Sequence, residues 1–432
     1  MITQIKNKLR NNQLAKDSFW ALCGSILGKG LALVAGILVA RFLGKDGFGE
    51  YGVIKNTLIT IGMFSTFGLG YTATKYIAEY RNEHKNKIPA LSKLLVQISL
   101  ITSSIIGILS FLFAQQLAIL IKAEHLANAI KLCSIIIVFN ALTLTQISVL
   151  AGLGKYKIIA KNNTCSGIIT FFVSFILTYK YGFTGALWAL LISQAFNCCI
   201  NAFSIRSEHK KIENAISVLP NSISLIREII SFSFPVALQE SLVFIFTWLN
   251  TYILIYFTNY GEIGLYSAST QWNVILLFIP GVLRNVTLSH LANASNDKSS
   301  HEKIMFSMLI VNLCCTSFLY ICVLMICHWA PIFYGETYVG IEYLIALSSA
   351  STIFNSMSDV LVQEFMSLNK NWVILSLRVA KDIIAASSVM YLIYYIGISG
   401  AMSMAVVAVA SSIVYFIFLL LFYRRMNSQN LK

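Results

Sequence analysis

The chain has 432 residues, of which 57% are hydrophobic and only 12% are charged, and its formal net charge is +14. Soluble proteins carry about twice this charged fraction, so the composition excludes an ordinary soluble domain and indicates a polytopic α-helical membrane protein. Continuous apolar runs, rather than alternating ones, exclude an outer-membrane barrel. The positive charge indicates basic cytoplasmic loops, and no nucleic-acid partner is expected.

Twelve apolar runs are long enough to form spanning helices, which predicts an all-α fold with both termini on one side of the membrane. The predicted helices cover 19–42, 51–74, 90–113, 126–150, 158–179, 183–205, 229–257, 264–291, 304–327, 340–366, 372–396 and 398–423.

The distribution of Lys and Arg predicts the orientation. If the N-terminus is inside, the inner connections hold 22 Lys and Arg, whereas the outer connections hold four. Because cytoplasmic loops are the basic ones, we expect both termini to be cytoplasmic.

Two glycine loops recur in the two halves of the chain. Gly44–Gly47 matches Gly261–Gly264 at an offset of 217, and Gly182–Ala186 matches Gly397–Ala401 at an offset of 215. Parallel repeats of this kind predict two six-helix bundles around a central cavity.

We therefore divide the chain into three parts. These are an N-terminal bundle (1–205), a charged cytoplasmic linker (206–228) and a C-terminal bundle (229–432).

No motif indicates catalysis or a cofactor. Gly24–Gly30 superficially resembles a P-loop, but its glycine spacing is one residue short and no Ser or Thr follows the Lys. The nine cysteines lie in apolar runs without metal-ligand spacing and are interpreted as packing residues. We expect no catalytic residue, cofactor or metal, and a protein that moves a substrate rather than an enzyme.

The informative residues are charges inside predicted helices. Lys29 lies about 14 Å along the first helix from Trp20, near mid-membrane, where a lysine costs roughly 2.5–3.5 kcal/mol. It is a candidate for lining the cavity, and the alternative is a lysine that is paired or extends to the interface.

Three further cations are candidates for substrate binding. Arg284 follows Pro280, where a kink would open the helix. Lys381 and Arg378 share one helix face, but Asp382 lies four residues after Arg378 and offers a structural salt bridge instead.

Glu240 and Asp359 are candidates for ion coupling or gating, because a buried carboxylate is suited to binding and releasing a proton. The alternative is that they are counter-ions for the cations. Cations outnumber carboxylates inside the predicted helices, which favours an anionic cargo such as a phosphate or pyrophosphate.

Four motifs resemble those of Wzx-type bacterial polysaccharide flippases, which belong to the multidrug/oligosaccharidyl-lipid/polysaccharide superfamily. They are RxLGxxGFGxY (Arg41–Tyr51) after the first helix, FSFP (Phe232–Pro235), GEIGLYSAS (261–269) and FYGETYVG (Phe333–Gly340). The resemblance covers essentially the whole chain.

The resemblance implies a V-shaped, MATE-like fold of twelve helices in a bacterial inner membrane. It also implies alternating access, drive by an ion gradient, and a cargo of undecaprenyl-pyrophosphate-linked oligosaccharide that is turned toward the periplasm. Other polysaccharide assembly proteins and membrane lipids would be its partners. Two alternatives are a MATE-type drug/cation antiporter and a membrane-embedded glycan polymerase or ligase.

Overall fold

A computed structural model describes residues 2–66, 69–83, 85–212, 227, 229, 242, 245–278, 280–281, 298–367 and 370–429. Within these ranges the chain is helical and has no strand, which confirms the predicted all-α class. Ten of the twelve predicted helices correspond to helices of the structure, and only parts of the seventh and eighth lie within the described residues.

The N-terminal half contains six helices in the described residues. They are α1 (Ile2–Thr66), α2 (Leu69–Glu83), α3 (Ile88–Leu112), α4 (Ala114–Leu120), α5 (Ala127–Gly152) and α6 (Tyr156–His209). The predicted linker lies largely outside the described residues.

The described part of the C-terminal half contains eight helices. They are α7 (Ile245–Phe257), α8 (Tyr260–Thr270), α9 (Asn273–Leu276), α10 (Lys298–Cys327), α11 (Ala330–Tyr334), α12 (Ile341–Ser367), α13 (Asn371–Tyr391) and α14 (Gly400–Gln429). A π-helical turn over Leu392–Ile396 extends α13.

Single glycines divide the two longest helices. Gly44 (φ 67°, ψ 174°) interrupts α1, and Gly182 (φ 55°, ψ −133°) interrupts α6, so each of these helices contains two spans. Only glycine adopts such positive φ values without strain. The predicted break between the first two helices is present at Gly44, but it is shorter than predicted, because the second span resumes directly after Gly44 rather than at 51 and continues to Thr66.

Seven helices of the described chain are long and apolar enough to cross a membrane, which supports a multi-pass membrane protein. Two of them, α1 and α6, each contain two spans. The helix α13 is not among these seven, and it carries Arg378, Lys381 and Asp382 within one stretch.

The chain forms two compact units. Unit 1 comprises Met1–Ala35 and Val53–Trp248, and unit 2 comprises Gly36–Gly52 and Leu249–Lys432. The turn around Gly44 thus belongs to the unit built mainly from the C-terminal half, although the sequence alone offered no indication of this.

Each unit has its own packed core. In unit 1, Ile77, Leu91 and Leu150 are fully buried, and in unit 2 Leu361 and Phe365 are. Because lipid tails are as apolar as these side chains, the helices are held by close packing and by hydrogen bonds rather than by exclusion of water.

Candidate functional site

Lys29 lies one residue after the closest approach of α1 and α6 in unit 1. A Cβ atom on Gly28 would lie 2.6 Å from the carbonyl oxygen of Asn163, and one on Gly167 would lie 2.5 Å from the carbonyl oxygen of Gly28. Backbones approach this closely only where the residue is glycine. The crossing therefore fixes the position of Lys29 beside α6. The Lys29 side chain is exposed on unit 1.

Five polar side chains form an asparagine cluster between the two halves of α6, beside this crossing. The Nδ2 atom of Asn162 donates to Oδ1 of Asn201 (2.9 Å) and to Oγ of Ser204 (3.0 Å). The Nδ2 atom of Asn201 donates to Oδ1 of Asn197 (2.9 Å), and the Ser166 hydroxyl donates to the same oxygen (3.2 Å). Because amides in an apolar environment need such partners, the cluster fastens the two halves of α6 together.

Sequence reasoning missed the asparagine cluster because it searched the apolar helices for charges. A signal was present, since Asn197 and Asn201 are four residues apart and therefore lie on one face of a helix. Their partner Asn162 lies in the other half of α6, and Asn201 is fully buried.

In unit 2, four of the charged side chains on α12 and α13 interact with one phenol, that of Tyr415 on α14. Nζ of Lys381 lies 3.0 Å from Oδ1 of Asp382 and 5.3 Å from the centre of the Tyr415 ring. The charges of Arg378, Asp359 and Asp382 also act on the Tyr415 phenol. We call these five residues the Tyr415 cluster.

The salt bridge in the Tyr415 cluster is not the one between Arg378 and Asp382 that the sequence suggested. Asp382 pairs with its neighbour Lys381 instead, and their side chains are only 18% and 22% exposed. Two cations and two carboxylates leave the cluster with no net charge. It is therefore less suited to holding an anion by charge alone than Lys29 is.

The remaining candidates cannot be placed, because Glu240 and Arg284 lie outside the described residues. Lys29 belongs to unit 1, whereas Arg378, Lys381 and Asp359 belong to unit 2. The roles of all six residues stay predictions.

Three of the four motifs that carry the flippase resemblance pack together in unit 2. The hydroxyl of Tyr338 donates to the carbonyl of Ala40 (3.1 Å), and Nη1 of Arg41 donates to the carbonyl of Ile332 (3.0 Å). Burial raises the pKa of the Tyr338 phenol well above its ordinary value, so this donor stays protonated.

The two copies of the first glycine loop, Gly44–Gly47 and Gly261–Gly264, contact each other in the same region. Gly49 packs against the backbone of Tyr260, and Gly264 packs against the backbone of Lys45. In addition, the Tyr334 hydroxyl donates to the carbonyl of Ala268 (3.2 Å). We call the packed segments 40–49, 260–268 and 332–338 the motif cap. Its described contacts are backbone packing and hydrogen bonds, so the motif cap is architectural.

The fold is that of MATE transporters and their structural relatives. The inward-facing structure of a multidrug resistance MATE family transporter aligns with a TM-score of 0.72 at 14% identity, over 92% of this chain and 95% of that one. The inward closed structure of the lipid II flippase MurJ aligns with a TM-score of 0.68 at 17% identity, over 95% of this chain and 87% of that one.

The sequence identifies the family within this fold. Residues 14–283 match the family described as "Polysaccharide biosynthesis protein", and the chain belongs to it. A Shigella flexneri protein named "Putative O-antigen transporter" is 21% identical over 398 residues, which are 90% of this chain and 93% of that protein. These findings confirm the resemblance to polysaccharide transporters.

Proposed function

We propose that this protein flips a lipid-linked oligosaccharide across a bacterial inner membrane, from the cytoplasmic to the periplasmic leaflet, by alternating access. One observation carries the proposal: a chain of the polysaccharide biosynthesis family exposes a cation, Lys29, in the middle of its first span. An exposed cation at that depth is costly, and in membrane proteins such a residue marks the path of a substrate.

The cargo that fits this cation is an anionic lipid headgroup, and we propose undecaprenyl pyrophosphate with an attached oligosaccharide. Relatives named an O-antigen transporter and a lipid II flippase support a glycan attached to a lipid carrier. Lys29, Arg284, Lys381 and Arg378 are the proposed contacts to the pyrophosphate, since charge-assisted hydrogen bonds to phosphate are strong.

The proposed driving force is an ion gradient that acts through Glu240 and Asp359. The position of Asp359 in the neutral Tyr415 cluster supports this part of the proposal, because binding a proton there would leave the cluster with a net positive charge. Both termini are proposed to be cytoplasmic, on the basis of the Lys and Arg distribution.

Depletion of the protein tests the proposed function. Lipid extracts of depleted cells should accumulate complete lipid-linked repeat units while the surface polysaccharide is lost. Re-expression of the intact chain should reverse both changes. If lipid intermediates were normal and the cells were more sensitive to cationic drugs, the proposal would be wrong and drug/cation antiport would be the function supported. Accumulation of polymer precursors that have already reached the outer leaflet would indicate a polymerase or ligase instead.

A further inference from the structure

A cavity with cationic lining residues lies in unit 1, and it contains no residue of the motif cap or the Tyr415 cluster. It has a volume of about 480 Å³ and is enclosed by the start of α3, the end of α6 and one residue of α5. Its described polar lining residues are Ser92, Lys93, Gln146, Arg206 and His209. This volume lies within the range of cavities that hold small molecules.

The charge of the cavity is positive. Lys93 and Arg206 line it and are exposed, and no carboxylate is among the described residues that line it. The nearest carboxylate on α6, that of Glu208, is already paired with Lys155 at 2.8 Å and with Lys211. The two cations of the cavity therefore keep their charge available for an anion.

Ser92 and His209 form a polar wall of the cavity. The Ser92 hydroxyl lies 3.1 Å from the carbonyl of Pro89 and 2.9 Å from Nε2 of His209. The Ser92 oxygen and Nε2 of His209 share one hydrogen bond, whose donor depends on the tautomer of the imidazole. This pair fixes the imidazole ring at the edge of the cavity.

Gln146 supplies the observation that points to a ligand. Its side chain is only 4% exposed, and its Nε2 lies 3.6 Å from Sγ of Cys198. Its Oε1 has no hydrogen-bond partner among the described residues, although Gln146 lines the cavity. An unpaired buried amide oxygen costs about 1–3 kcal/mol, and a hydroxyl group in the cavity would remove that cost.

We propose that this cavity binds a phosphate ester that carries a free hydroxyl group, of the glycerol phosphate type. Lys93 and Arg206 contact the phosphate, and Gln146 Oε1 accepts from the hydroxyl. The apolar wall of Pro89, Val96 and Ile205 suits the ester side of the ligand. Such a group occurs in the headgroup of phosphatidylglycerol and in soluble glycerol phosphate. No lining residue of this site is among the proposed transport contacts, so its failure leaves that proposal unchanged.

The full chain, purified in detergent, tests the proposal by calorimetric titration with three probes. These are dihexanoyl phosphatidylglycerol, glycerol phosphate and dihexanoyl phosphatidylcholine. We expect phosphatidylglycerol or glycerol phosphate to bind and phosphatidylcholine, which has neither a net charge nor a hydroxyl, to bind at least tenfold more weakly. Tighter binding of the lipid assigns the site to the membrane, and tighter binding of glycerol phosphate assigns it to a soluble ligand. Equal binding of all three probes would overturn the proposal.

Three variants test the assigned contacts. Lys93→Gln and Arg206→Gln, both at exposed positions, should each weaken binding about tenfold. The matched control Lys161→Gln removes an exposed cation from α6 that does not line the cavity, and it should leave binding unchanged. Gln146→Leu should weaken the binding of phosphatidylglycerol about fivefold. It should not affect the binding of dihexanoyl phosphatidate, which lacks the hydroxyl groups of the glycerol headgroup. If Lys161→Gln weakened binding equally, the affinity would depend on surface charge in general and not on this cavity, and the proposal would be overturned.

Discussion

Lys29 is presented by a crossing of two helices that leaves no room for a side chain at Gly28. A lysine in the middle of a span costs roughly 2.5–3.5 kcal/mol, so its position must be offset by protein, water or substrate around it. The asparagine cluster beside the crossing is satisfied within itself and therefore supports the helices without competing for an anion.

Replacing Lys29 tests its role in transport. We expect Lys29→Ala to lower transport about tenfold or more while the amount of protein changes little, because one charge-assisted contact to pyrophosphate is lost. Lys29→Arg should retain most of the activity. Surface polysaccharide and the amount of protein, measured in the same cells, give the comparison.

Lys122→Asn is the control for Lys29. Lys122 is an exposed residue with a positive φ of 53°, a conformation that asparagine tolerates well, and we expect this variant to transport normally. Normal transport by Lys29→Ala at normal abundance would contradict the proposed role of Lys29.

Tyr415 has a buried hydroxyl without a hydrogen-bond partner among the described residues, although Lys381 lies over its ring and three further charges act on its phenol. Tyr338 is the opposite case, because its buried hydroxyl donates to the carbonyl of Ala40. The two tyrosines form a matched pair for separating a functional hydroxyl from a structural one.

Tyr415→Phe should leave the thermal unfolding temperature in detergent unchanged or raise it, since no described hydrogen bond is lost and a buried hydroxyl without a described partner is removed. Tyr338→Phe should lower the stability by about 0.5–1.5 kcal/mol, because the carbonyl of Ala40 loses its donor. If the Tyr415 cluster contributes to ion coupling, Tyr415→Phe will lower transport at unchanged stability. Destabilisation by Tyr415→Phe equal to that by Tyr338→Phe would show that the Tyr415 hydroxyl has a structural partner.

At the scale of elements, glycines determine how α1 meets α6. Gly28 and Gly167 allow direct backbone contact, whereas a Cβ atom on Gly30, two residues further along the same helix, would meet no atom within 4 Å. The two neighbouring glycines of α1 therefore have different functions in packing.

Gly28→Ala should destabilise the protein by about 1–3 kcal/mol, because the new methyl group would overlap the backbone of Asn163 and force the helices apart. Gly30→Ala should be neutral or stabilising by up to about 1 kcal/mol, because alanine favours a helix more than glycine does. Thermal unfolding of both variants in the same detergent makes the comparison. Equal effects of the two substitutions would contradict the close crossing.

At the scale of the whole molecule, the motif cap assembles segments about 220 and 70 residues apart in the chain. Their side chains and backbones contact one another, so the family motifs record a shared architecture more than a shared substrate. Structures with this fold are named for different cargoes, as expected where a fold does not determine the cargo.

Reporter fusions test the proposed orientation of the whole chain. Alkaline phosphatase, which is active only outside the cytoplasm, should be active when fused after Lys122 and inactive when fused after Lys211. Green fluorescent protein fused after Lys432 should fluoresce, as it does in the cytoplasm. The reverse pattern would place both termini outside and would contradict the orientation inferred from Lys and Arg.

Local properties of the sequence were sufficient for the class of protein and for most of its helices. Hydropathy over about 20 residues and the positions of the turn glycines depend only on neighbours in the chain, so the spans and the breaks near Gly44 and Gly182 were predictable. Lys29 was recognisable as a candidate for the same reason, because a charge in an apolar run stands out.

Only the tertiary structure decided which residues meet. Residues 36–52 belong with the C-terminal half, Asp382 pairs with Lys381 rather than Arg378, and the amides of α6 form one cluster. A helix in lipid is apolar on all faces, so its sequence carries little information about which face contacts another helix. Contacts between distant residues settle that choice, and they exist only once the chain has folded.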